Sequence, residues 1–139
     1  MAAPVHGGPQ VMSWYVALGG AIGSVARFLL SGFIQRPGGS FPLATLLINI
    51  TGSLLLGFLL EYTLAAPAIS REARALLTTG FCGGFTTFST FSYETAKLLE
   101  SGDYRRAALY VGLSLGVSLA GTFAGFSLGR GALALRRAI

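Results

Sequence analysis

Charged residues are scarce in this chain. They make up 11% of its 139 residues, whereas hydrophobic residues make up 53%. A soluble domain carries about 25% charged residues, so this sequence has too few polar side chains to cover a fold in water. Histidine and cysteine occur once each, as His6 and Cys82, which excludes an intramolecular disulfide framework and a multi-cysteine metal site within one protomer. The composition therefore predicts an integral membrane protein.

Catalytic groupings are also missing. The sequence offers no pair of carboxylates, no nucleophile with a neighbouring base and no cluster of metal ligands, so we expect that the protein is not an enzyme. The formal charge is +5, but the basic residues occur singly or in pairs beside apolar runs, and this pattern argues against binding to nucleic acid. No basic region precedes the first apolar run, so we expect this run to be retained and not cleaved as a signal.

Four apolar segments are long enough to cross a bilayer, which takes about 20 residues. The predicted spans are residues 12–33, residues 41–66 with no charge before Glu61, a third span that opens after Ser70 and is uncharged over 75–93, and residues 105–128. The second span begins near Phe41 and Pro42 and ends at Ala66 and Pro67, and Ser70 is placed to cap the helix that opens the third. The chain then divides into a disordered N-terminal tail (1–11), one four-helix membrane domain (12–130) and a basic C-terminal tail (131–139).

Glycine is frequent inside these spans. Pairs and triplets at four-residue spacing predict close packing of membrane helices: Gly19 with Gly23, Gly112 with Gly116, and Gly121 with Gly125 and Gly129. Gly80, Gly83 and Gly84 fall within five residues of the third span. Because glycine costs about 1 kcal/mol in a helix interior, we predict that the third helix is broken here. Carbonyl groups exposed at such a break can bind a cation such as sodium.

Uncharged polar residues form two stripes at helical spacing. The second span carries Thr45, Asn49, Gly52 and Ser53, and the fourth carries Tyr110, Ser114, Ser118, Gly121, Thr122 and Gly125. Such stripes offer hydroxyl and amide donors without charge, as an anion path would. The alternative is hydrogen bonding between helices, which contributes about 0.6 kcal/mol per bond in membranes.

Two aromatic residues and one arginine complete the set of candidates. Phe88 and Phe91 lie three residues apart on one helix face, where their electropositive ring edges could accept a small anion; alternatively, they face lipid or only pack. Arg27 interrupts the first span, and we expect it to extend towards water or to lie in a vestibule.

The basic residues are almost evenly divided between the two ends of the predicted bundle. One end carries Arg71, Arg74, Arg130, Arg136 and Arg137, and the other carries Arg36, Lys97, Arg105 and Arg106, with Arg27 as a possible fifth. Because lysine and arginine in short loops set membrane orientation, neither orientation is strongly favoured. A chain that inserts both ways can form an antiparallel homodimer about a two-fold axis in the membrane plane. The alternative is one fixed orientation with a weak charge bias.

Three motifs resemble the CrcB/Fluc family of fluoride channels over nearly the whole chain. They are GGAIG at 19–23 followed by Arg27, LATLLINITGS at 43–53, and GFCGGFTTFSTFS at 80–92. The resemblance implies a dual-topology homodimer in the cell's inner (plasma) membrane, with two antiparallel pores for passive export of fluoride and a structural sodium ion at its centre. It further implies pore-lining roles for Asn49, Phe88, Phe91, Tyr110, Ser114 and Ser118, and sodium ligation by the backbone carbonyls of Gly83 and Thr86.

A competing interpretation is a four-helix dual-topology drug/proton antiporter. Such a transporter needs a titratable carboxylate in its first helix, and residues 12–33 contain no acidic residue. A small membrane scaffold would explain the glycines, but not two polar stripes beside a helix break.

Overall fold

The structure, a computed structural model, describes residues 9–35 and 39–138, with the side chain of residue 137 excluded. All regular structure in these ranges is helical. The elements are α1 (Pro9–Ile34), α2 (Leu43–Ala65), α3 (Arg71–Ala75), a π-helical segment (Leu76–Cys82), α4 (Gly83–Phe85), α5 (Phe88–Glu100) and α6 (Tyr104–Ala138). The prediction of an all-α protein is confirmed for the described residues.

The helix boundaries follow local signals in the sequence. Helix α2 begins directly after Pro42, a residue suited to a helix start, and ends at Ala65, two residues before Pro67. Ser70 caps α3, since its Oγ accepts a hydrogen bond from the Ala73 amide at 3.1 Å. The turn before α6 contains Gly102 with φ of 76°, a left-handed conformation that glycine adopts without a steric penalty.

Both ends of the chain are more helical than predicted. Helix α1 starts at Pro9, three residues before the predicted start of the first span, and the rest of the predicted disordered tail lies outside the described residues. Helix α6 continues to Ala138 through the predicted basic tail. The alanine, leucine and arginine residues of this stretch are strong helix formers, which accounts for the extension.

Within the described part of the chain, three helices are long and apolar enough to cross a membrane: Pro9–Ile34, Leu43–Ala65 and Tyr104–Arg136. The predicted third span is instead divided among α3, the π-helical segment, α4 and α5. The helix is interrupted as predicted, but the non-helical residues are Thr86 and Thr87, which follow the glycines. Gly80 and Gly84 thus lie in helical turns, where they allow close packing.

Glycines let α1 approach the interrupted helix very closely. A Cβ at Gly19 would overlap the Leu76 carbonyl oxygen, one at Gly23 would overlap that of Phe81, and one at Gly84 would overlap that of Gly20. From Gly19 to Gly23 along α1, the contacted residue changes from Leu76 to Phe81. Residue numbers therefore rise in the same direction in α1 and in the interrupted helix, and the two run parallel. The predicted packing role of Gly19 and Gly23 is confirmed.

Helices α2 and α6 form the second closely packed pair. A Cβ at Gly57 would overlap the Thr122 carbonyl oxygen, and one at Gly125 would overlap that of Leu54. Gly129 packs on Glu61, whose carboxylate pairs with Arg130 at 2.9 Å. Gly112 and Gly116 behave differently from our prediction, because a Cβ at either position would meet no atom of the described protomer within 4 Å. They are therefore not packing residues within one protomer.

The contrast between two glycines of α1 gives a stability prediction. Gly23→Ala places a methyl group against backbone atoms of Phe81 and Phe85, whereas Gly32→Ala enters open space. Because backbone cannot move aside as a flexible side chain can, we expect Gly23→Ala to destabilise the protein by about 1–3 kcal/mol. Thermal unfolding in detergent should show a lower midpoint for Gly23→Ala and no loss for Gly32→Ala. Equal midpoints for the two variants would contradict the observed packing.

Candidate functional site

A cavity with several polar groups in a mostly apolar wall lies where α2, the helix break, α5 and α6 meet. This cavity, called here the central cavity, has a volume of about 250 Å³. Ten residues line it: Asn49, Ser53, Leu56, Thr86, Thr87, Phe88, Phe91, Ser114, Leu115 and Ser118. The structure thus brings five of the predicted pore residues to one place, although they come from three separate helices.

Asn49 holds the helix break in place. Its Nδ2 donates to the Thr87 carbonyl oxygen at 3.0 Å, and its Oδ1 accepts from the Thr87 amide at 2.8 Å. In a continuous helix the Thr87 amide would bond to the carbonyl of Gly83, four residues earlier. The side chain of Asn49 therefore replaces a missing helical turn, and only one of its two amide hydrogens is used in doing so.

Threonine side chains satisfy some of the backbone groups beside the break and leave two carbonyls without a helical donor. Thr87 caps α5 by accepting from the Thr90 amide at 3.1 Å. The Thr86 hydroxyl donates to the Cys82 carbonyl at 2.9 Å. Because Thr90 and Thr87 use their amides elsewhere, the carbonyls of Thr86 and Gly83 lose the donors that a regular helix would supply. Gly83 is exposed in the protomer.

Two serines of α6 present unpaired hydroxyl groups. The Oγ atoms of Ser114 and Ser118 are buried, and neither has a hydrogen-bond partner among the described residues. Buried polar atoms in proteins are nearly always hydrogen-bonded, so two hydroxyls one helical turn apart with no protein partner keep their capacity to donate. Both serines line the central cavity. The cavity can therefore offer at least two hydroxyl donors to a small acceptor.

Three aromatic rings contact one another in a row beside the central cavity. The ring centroids of Phe88 and Phe91 are 5.5 Å apart, and those of Phe91 and Tyr110 are 5.2 Å apart. Phe88 is 74% exposed in the protomer, whereas Phe91 is 9% exposed and Tyr110 is fully buried. The predicted shared face of Phe88 and Phe91 is therefore present, with only Phe91 in the hydrophobic core.

Glu94 is a site residue that sequence reasoning missed. Its Oε1 accepts from the Thr45 hydroxyl at 2.9 Å and its Oε2 accepts from the Tyr110 hydroxyl at 2.7 Å. Glu94 directly follows the uncharged stretch 75–93 of the third predicted span, a position where a carboxylate is ordinarily solvated by water. The spacing of Glu94 could have indicated this role, because Phe88, Phe91 and Glu94 follow one another at intervals of three on one helix face.

Glu94 also faces a second cavity, called here the end cavity, with a volume of about 340 Å³. Its lining residues are Gln35, Gly39, Ser40, Pro42, Tyr93, Glu94, Lys97, Leu98 and Ser101. The two cavities share no lining residue. The hydrogen bonds and ring contacts already described link Phe91 of the central cavity to Glu94 of the end cavity through Tyr110. These three residues and Thr45, which also bonds to Glu94, are called here the barrier. Predicted and unpredicted residues together thus form a series of cavity, barrier and cavity.

Arg27 lies on α1 outside both sets of lining residues. It is partly exposed. Ser24 donates to the Gly84 carbonyl at 3.4 Å, and Arg27 lies one turn further along, about 5 Å on. This register puts the backbone of Arg27 at the level of the helix break.

Comparison with known proteins connects this arrangement to one family. The family model described as CrcB-like protein, Camphor Resistance (CrcB), matches residues 14–126, a range that includes both cavities and the barrier. The chain belongs to the CrcB family. The match covers the greater part of the chain, so membership does not depend on one short motif.

Curated CrcB relatives resemble the chain across most of their length. A protein of Chlorobaculum tepidum named fluoride-specific ion channel FluC is 50% identical over 115 residues, covering 83% of this chain and 91% of the relative. Proteins of the same name from Geobacter sulfurreducens and Aquifex aeolicus are both 48% identical, covering 83% and 82% of this chain and 94% and 93% of the relatives. These relatives are named channels, not enzymes. Together with the apolar helices, the similarity identifies a multi-pass membrane protein of a channel family.

Proposed function

We propose that this protein is a fluoride channel that gives passive efflux of cytoplasmic fluoride across the inner membrane. The observation that carries the proposal is the pair of unpaired, buried hydroxyls of Ser114 and Ser118 in the central cavity. A dehydrated fluoride ion needs hydrogen-bond donors, and neutral hydroxyls supply them without the tight binding that a buried positive charge would cause. The names of the similar proteins support fluoride as the ion.

The proposed path runs from the central cavity through the barrier to the end cavity. Ser114, Ser118 and the free amide hydrogen of Asn49 replace water around the ion, and the edges of Phe88 and Phe91 favour negative charge. At the barrier, the hydroxyls of Thr45 and Tyr110 are both occupied by Glu94. An ion can pass only when the carboxylate gives up at least one of these hydroxyls, so Glu94 controls passage through the barrier.

We propose that the segment from α3 to α5 forms a fourth membrane crossing. Thr45 pairs with Glu94 and Asn49 pairs with Thr87, so α5 runs antiparallel to α2. The part before the break runs parallel to α1, as the glycine contacts require. The broken segment therefore keeps one direction through the bundle, as a single crossing does.

A second copy of the chain, inserted in the opposite orientation, would complete the site. Non-helical backbone at membrane depth is tolerated only where protein or water covers it, and Gly83, beside the break, is exposed in the protomer. Phe88 is also mostly exposed. An antiparallel homodimer covers both residues, and the nearly balanced basic residues at the two ends allow both orientations.

The residues present fit the proposed sodium ion. The carbonyls of Gly83 and Thr86 lack their usual helical donors, because the Thr87 amide bonds to Asn49 and the Thr90 amide bonds to Thr87. Carbonyl oxygens at an unwound helix suit a hard monovalent cation. Two copies would contribute four such oxygens at the dimer centre. A bound sodium ion supplies positive charge that offsets the repulsion among their dipoles.

Fluoride efflux from liposomes tests the proposed function. We expect purified protein to release fluoride from KF-loaded liposomes when valinomycin supplies a potassium path, with no proton gradient and no comparable release of chloride. A requirement for a proton gradient would instead support the antiporter, whose coupled carboxylate is missing from residues 12–33. Efflux no faster than from protein-free liposomes would overturn the channel proposal.

A further inference from the structure

The end cavity carries one positive and one negative side chain on a single helix face. Glu94 and Lys97 lie three residues apart on α5, and they are the charged residues among those described as lining this cavity. Residues at this spacing are neighbours on a helix surface. Glu94 turns inward to two buried hydroxyls, whereas the Lys97 side chain is 58% exposed. The cation therefore lies on the exposed side of the cavity.

The charge of Lys97 is partly offset by its neighbours. Its Nζ lies 2.8 Å from the Glu100 carboxylate, whose side chain is 67% exposed, and 6.0 Å from the centroid of the Tyr93 ring. An ion pair this exposed to water opens readily and holds its partners weakly.

We propose that the end cavity is the water-filled mouth of the anion path and that Lys97 concentrates hydrated fluoride there. This inference rests on the proposed function, since it assigns one end of the same path. A cavity wall bearing an accessible cation raises the local concentration of small anions. Glu100 limits this effect by competing for the same amine, and Glu94 at the inner side keeps the ion from binding too firmly.

The mechanism has a specific dependence on salt. Exposed charges act over about 30 Å at 0.01 M ionic strength but over only about 3 Å at 1 M. If Lys97 acts through the anion concentration at the mouth, neutralising it lowers fluoride flux in dilute solution and has no effect in concentrated salt. A residue needed only for folding would lower flux at every salt concentration.

The test compares variants reconstituted in liposomes at low fluoride, with potassium gluconate setting the ionic strength at about 0.01 M or about 1 M. We expect Lys97→Gln to lower the initial fluoride flux about two- to threefold at low salt and to match the unmodified protein at high salt. Glu100→Gln should raise the low-salt flux, because it frees the amine without removing it.

Arg105→Gln is the matched control. Arg105 lies across the same turn, at the start of α6, and removing it changes the net charge equally, but it lines a separate surface depression with Asp103 and Arg106. We expect a smaller low-salt effect from this variant. Equal low-salt fluxes in Lys97→Gln and Arg105→Gln, or a loss in Lys97→Gln that persists at high salt, would overturn the inference while the unmodified protein still conducts. Absence of flux in the unmodified protein would overturn the proposed function itself.

Discussion

We expect Asn49→Asp to abolish fluoride flux at neutral pH. Asn49 lines the central cavity and its amide spans the helix break through two hydrogen bonds to Thr87. An aspartate would add negative charge beside the path and would lose the donor to the Thr87 carbonyl. Two unit charges 4 Å apart repel by about 4 kcal/mol at an effective dielectric constant of 20. At about 1.4 kcal/mol for each factor of ten, flux should fall by about a thousandfold.

Measuring Asn49→Asp at lower pH provides a control within the same variant. A protonated aspartate is close in shape to asparagine, carries no charge and regains one donor, so part of the flux should return as the pH is lowered. Fluoride efflux measured from neutral to mildly acidic pH checks this. Protein-free liposomes must be subtracted at each pH because hydrogen fluoride crosses lipid unaided. Normal flux in Asn49→Asp at neutral pH would show that Asn49 is not on the path.

The second large effect is expected at the two phenylalanines. Leucine is apolar and comparable in volume but lacks an electropositive edge, and such a swap in a packing role costs little. If the ring edges favour the ion, Phe88→Leu and Phe91→Leu should each lower flux by about tenfold or more, the value of a contact of about 1.4 kcal/mol. Phe91→Leu should have the larger effect, because it also removes the ring contact with Tyr110. Methionine should restore part of the flux through its polarizable sulfur.

Phe28→Leu is a matched control for Phe88→Leu. Phe28 is 76% exposed in the protomer and Phe88 is 74% exposed, so the two substitutions remove similar apolar surface, but Phe28 lines neither cavity. Flux per purified protein, with size-exclusion profiles to confirm folding, separates the two roles. Unchanged flux in Phe88→Leu and Phe91→Leu, singly and together, would show that the rings only pack.

Local and periodic features of the sequence were enough to predict much of the fold. The scarcity of charge indicated a membrane protein, because chemical composition decides which solvent a fold can face. Pro42 and Pro67 marked the ends of α2, and Ser70 marked the start of α3, since these residues act on their own backbone neighbours. The 3.6-residue period placed Asn49, Ser114 and Ser118 on shared faces before any contact was known.

Tertiary structure alone decided how those faces are used. The low helix propensity of glycine predicted a break at Gly80 to Gly84. These residues instead remain helical, with α1 packed on Gly80 and Gly84, and the chain leaves the helix at Thr86 and Thr87. The partner that stabilises the break is Asn49, 38 residues from Thr87. Local propensity carries no information about a hydrogen bond over that separation.

Contacts between residues far apart in the sequence also determine which hydroxyl donors are free and which are occupied. Thr45, Tyr110, Ser114 and Ser118 look alike in the sequence as polar members of helical stripes. In the fold, the hydroxyls of Thr45 and Tyr110 bond to Glu94, 49 and 16 residues away, whereas those of Ser114 and Ser118 have no partner among the described residues. The sequence determined the chemical groups and their helix faces. Only packing between distant segments determined which of those groups remain available to an ion, because availability depends on what each group meets across the interface.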